Sequence, residues 1–97
     1  MSELPDFRAG GVDYLAEKVT LIGEMDERQR TAILSQSNVY SEIKRRGEQF
    51  AHQILKKLYQ EKESAVARGY LSKANSIVRA ISLYVENVFG RNAPKAA

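Results

Sequence analysis

The chain has no cysteine and no tryptophan among its 97 residues. Without cysteine there is no disulfide to staple a small fold, no thiolate nucleophile and no Cys-based zinc or iron–sulfur centre. Proline occurs only twice, as Pro5 and Pro94, both close to the ends, so nothing between them forbids long helices. No apolar run approaches the roughly 18 residues that cross a bilayer. The opening residues lack a basic stretch followed by an apolar core, the pattern of a secretory signal. These absences lead to the expectation of a cytoplasmic protein with no membrane partner.

Strand signals are missing too. There is no Asn-Gly or Asp-Gly turn and no sustained alternation of polar and apolar residues. Histidine occurs once, as His52, among Gln49, Gln53 and Lys56, a setting that reads as surface rather than as a catalytic base. No paired-histidine or calcium-loop spacing is present. Glu61 and Glu63 fall on different sides of a helix and make no carboxylate pair. The expectation is a non-enzyme with no cofactor, no metal and no small-molecule substrate.

Against these absences stand 43% apolar and 28% charged residues, ordinary for one folded domain. The reading is a disordered lead over 1–11, a single helical domain over 12–90 and a flexible tail over 91–97. The net charge of +3 is unevenly spread: −3 over residues 1–40, +3 over 41–68 and +3 from 69 onward.

Four stretches carry helical periodicity. Val12, Leu15, Val19 and Ile22 form one stripe, with Gly23 placed as a left-handed helix stop. Asp26 reads as an N-cap, completed by Gln29 three residues on in a capping box. Ser35–Asn38 is a weak spot, since short polar side chains compete for the backbone, and a break is expected there. From Val39 to Ala67 one long helix is expected, its stripe running through Tyr40, Ile43, Gly47, Phe50, Ile54, Leu58 and Ala65, with Gly69 as its stop.

The last helix runs from Tyr70 to Phe89. Leu71, Ala74, Val78, Ile81, Val85 and Val88 step by three and four, a heptad-like seam. Tyr70, Ile77 and Tyr84 form a second line, and Leu83 adds to the opposite side. Together they demand more cover than the rest of so short a chain offers. The fold expected is therefore all-α: a small bundle of three to four helices dominated by a long helical hairpin and completed by dimerisation. The protein-interface residues expected are Tyr70, Ile77, Leu83 and Tyr84.

That surplus favours a small helical protein-interaction module, an adaptor, chaperone-like protein or inhibitor of a regulator, acting on a protein partner as a homodimer. The alternative is a nucleic-acid-binding protein. Arg45, Arg46, Lys56 and Lys57 share one side of the expected long helix, where cations suit a phosphate backbone. No aromatic residue interleaves them to stack on bases.

Overall fold

The computed structural model describes residues 10–36 and 38–90. They form five helices: α1 (Val12–Glu24), α2 (Glu27–Gln36), α3 (Val39–Arg45), α4 (Glu48–Ala67) and α5 (Leu71–Tyr84). α5 continues into a π-helical turn, Val85–Phe89. No strand occurs among the described residues. Most of the expected lead (1–9) and all of the expected tail lie outside them.

Helices α1, α4 and α5 pack on one another. Leu15, Val19 and Ile22 from α1, Ile54 and Leu58 from α4, and Ile77, Ala80 and Tyr84 from α5 form the sealed centre. Val39, Tyr40 and Ile43 of α3 are equally buried, and α3 closes the end of the bundle where it meets α1, α4 and the π-turn. α2 is peripheral. It contains no fully buried residue among its described side chains, and only Leu34 packs against the core.

Several helix ends follow the sequence. Asp26 and Gln29 make the capping box: the Gln29 N–H donates to Asp26 Oδ1 at 2.8 Å and the Asp26 N–H to Gln29 Oε1 at 3.2 Å. The chain breaks between α2 and α3, and Asn38 caps α3 by accepting from the Ser41 N–H at 3.1 Å. α4 ends in a Schellman turn around Gly69, at φ 79°. There the Tyr70 N–H reaches the Ala65 carbonyl at 2.8 Å and the Gly69 N–H reaches Val66 at 3.0 Å.

Two glycines behave otherwise than expected, and together they set the architecture. The single helix over Val39–Ala67 does not form, because Gly47 takes φ 103° and no α-helix passes through that conformation. The chain turns there, which lets α3 fold across the bundle end and raises the helix count from the expected three to four to five. Gly23 is not a stop: α1 runs on to Glu24. A Cβ at Gly23 would sit 2.5 Å from the Ala80 Cβ, so the missing side chain is what lets α1 lie against α5.

Candidate functional site

α4 and α5 form an antiparallel hairpin, and α1 covers one of its two sides. α1 meets α5 through Gly23 and Ala80 and meets α4 through the ion pair of Asp13 with Lys57, at 3.4 Å. On the side away from α1, α5 carries Leu71 and Val78, and the first residue of the π-turn, Val85, follows at the same seven-residue interval, which places the three close to one line. Leu71 is 64% exposed and Val78 47%, while Val85 is half-buried. Ala74 and Ile81, the other half of the seam, are buried beneath them. From α4, Leu55, Tyr59 and Val66 climb the same edge at four- and seven-residue steps. Leu55 is buried, Tyr59 is half-buried and Val66 is 51% exposed. Tyr70, 56% exposed, stands where the two helices join.

The result is an apolar line with no charged residue on it, although the exposed Arg79 follows Val78 directly. Asn75 and Ser82 flank the Leu71–Val78–Val85 line on α5, both exposed and both uncharged. Lys62 lies along the α4 edge with its Nζ over the Tyr59 ring, 5.5 Å from the centroid. Glu86 lies in the π-turn just beyond α5.

Of the four interface residues expected from sequence, the structure separates the set. Ile77 and Tyr84 are sealed inside a single chain and offer a partner nothing to touch. Tyr84 is anchored there by donating its hydroxyl to the Ala51 carbonyl at 2.7 Å, and burial pushes its phenol well above the ordinary range. Leu83 is half-buried, and Tyr70 alone is fully open. Leu71 and Val78 of the seam are thus open, while Ile77 and Tyr84, expected at a partner, lie in the core. The small residues Ala74 and Ala80 held the signal: close helix approach needs small side chains, and Ile77 sits between them.

The basic strip also comes apart. Arg45 and Arg46 end up on α3 and its turn, Lys56 and Lys57 on α4 beyond the Gly47 bend. Arg45 and Arg46 both bind Glu42, at 2.6 and 2.9 Å. Hydrogen bonds from Arg45, then Arg46, hold the Glu42 carboxyl at about 2. Arg46 also donates to the Gly10 carbonyl and lies over the Phe50 ring, 4.9 Å from its centroid, so it ties the start of α1 to α3 and α4. Lys57 bridges Asp13 and Glu61 at 3.4 and 3.5 Å. Lys56 is exposed. Three of the four cations therefore already face carboxylates of their own chain, and the four do not form one straight row.

His52 lies 3.6 Å from Glu48 and packs on the Phe89 ring at 5.0 Å. Among the described residues no group of three or more His, Asp or Glu side chains is placed to hold a metal ion, and no helix is long and apolar enough to cross a membrane. Comparison of the chain with protein-family models, with curated proteins and with solved structures gives no match.

Proposed function

We propose that this chain is a small helical protein-interaction module that acts by binding a protein partner, as a homodimer, through the side of the α4–α5 hairpin that α1 leaves open. The observation that carries this reading is the exposure of Val66, Tyr70, Leu71 and Val78 along one edge of that hairpin. Fully burying an aliphatic side chain is worth about 1.5–3 kcal/mol, and roughly half of each of these remains to be recovered. A contiguous apolar patch of this kind marks a contact surface more often than an idle one. The competing nucleic-acid reading draws on Arg45, Arg46, Lys56 and Lys57, three of which are engaged by Glu42, Asp13 and Glu61.

Light scattering combined with an apolar fluorescent dye tests the proposal. A dimer supports it, and a monomer that lights the dye keeps the binding face but overturns the homodimer. A compact monomer that leaves the dye dark overturns it.

A further inference from the structure

The open face has a symmetry that a second copy of the chain satisfies. Along α5, Leu71 and Val85 lie seven residues either side of Val78. A second α5 laid antiparallel across the first, with Val78 meeting Val78, sets Leu71 of each chain opposite Val85 of the other. The same operation brings Asn75 to within one residue of the level of Ser82. Apolar residues meet apolar ones, and an amide meets a hydroxyl that is able to bond it.

The ends match as well. α5 starts without a cap: Tyr70 makes no side-chain cap bond and the first turn contains no acid. The first backbone N–H groups of a helix have no partner within it, and that end favours a negative charge. Counting from Val78, the residue brought level with Tyr70 is Glu86 of the second copy. Glu86 is exposed. Antiparallel pairing thus gives each open helix start a carboxylate and opposes the two helix dipoles. Parallel pairing would set Glu86 beside Glu86 and leave both starts bare.

We infer that the partner on this face is a second copy of the chain, with α5 packed antiparallel on α5 about a twofold axis at Val78 and Glu86 of each copy at the uncapped start of the other's α5. This rests on the reading of the face as the homodimer's binding surface, and it adds the axis and the polarity.

The absence of cysteine makes the test clean. Single variants Leu71→Cys, Val78→Cys and Val85→Cys are oxidised under native conditions and again in urea. A disulfide needs Cα atoms within about 7 Å. In the inferred dimer Val78→Cys links to itself, whereas the two copies of residue 71 stand about 21 Å apart at 1.5 Å per residue. Leu71→Cys and Val85→Cys should therefore stay unlinked alone and cross-link when mixed, and all linking should vanish in urea. Glu86→Lys should weaken the wild-type dimer by about two- to fivefold per helix start at low salt. Self-linking of Leu71→Cys and Val85→Cys as strong as that of Val78→Cys overturns the antiparallel axis. A dimer by light scattering in which Val78→Cys does not link overturns the face. A monomeric wild type that binds the apolar dye overturns the second copy as occupant while sparing the module itself.

Discussion

The Tyr84 hydroxyl donates to the Ala51 carbonyl at 2.7 Å, joining residues 33 positions apart. Its ring lies 6.4 Å from that of Tyr40, whose own hydroxyl is buried with no hydrogen-bond partner. Two neighbouring phenols thus differ in their hydrogen bonding: one is satisfied and the other is not.

Tyr84→Phe should therefore destabilise the fold by about 0.5–1.5 kcal/mol, the net worth of a buried hydrogen bond. Tyr40→Phe should be neutral or stabilising, because it removes a desolvated hydroxyl and keeps the ring. Urea unfolding followed by circular dichroism checks the pair. Equal losses in both variants would contradict the assignment.

Gly23→Ala should destabilise by about 1–3 kcal/mol, since the added methyl collides with Ala80 in a packed core. Adding Ala80→Gly to that variant should recover part of the loss, although glycine in a helix carries its own penalty of about 1 kcal/mol. Denaturant midpoints of the two single variants and the double variant test the contact. Strict additivity would place the cause elsewhere.

The Glu42 carboxyl is held from its ordinary 4.5 down to about 2 by Arg45 and Arg46. The unfolded chain takes up that proton more readily than the folded one. The stabilisation is complete above about 4.5 and is lost as pH falls through about 2. Glu42→Gln should lower the melting temperature at neutral pH, and its gap from wild type should shrink below the upper value and close at the lower. A gap that is constant across thermal melts over this range would show that the two arginines do not act through the carboxylate.

Much of the fold is legible in the residues themselves, and what is missed has physical causes. Asp26 and Gln29 are read correctly as a reciprocal cap because capping is local: three residues contain all its chemistry. Asn38 starts α3 and Gly69 ends α4 for equally local reasons. Gly47 is missed because a glycine on an otherwise apolar stripe is compatible with the helix continuing, and only the folding of α3 over the bundle end decides against it. Gly23 is misread in the opposite direction, since its role lies in a neighbour, Ala80, 57 positions along the chain. The register of α5 is the largest miss. A helix apolar around most of its circumference offers two stripes of equal quality, Leu71–Val78–Val85 and Ile77–Tyr84, and periodicity ranks neither above the other. In the structure the stripe with alanines beside it faces inward.

Arg45 and Arg46, grouped by sequence as one basic surface, should separate by experiment. Arg46→Ala removes contacts to Glu42, Gly10 and the Phe50 ring and should destabilise by more than about 1 kcal/mol, because hydrogen bonds to charged groups exceed neutral ones. Arg45→Ala, whose side chain is 64% exposed, should cost clearly less, because exposed ion pairs are screened by solvent. Unfolding curves of the two variants check the ordering. The reverse order would return Arg46 to the surface.

If the open side of the α4–α5 hairpin is a contact surface between chains, the molar masses in solution of wild type and Val78→Lys must differ. Wild type should run at twice the 10.9 kDa of one chain, and the variant at the single-chain mass with its helical circular dichroism unchanged, since Val78 contributes little to the core. A wild type at the single-chain mass, or a Val78→Lys that remains dimeric, would contradict the account.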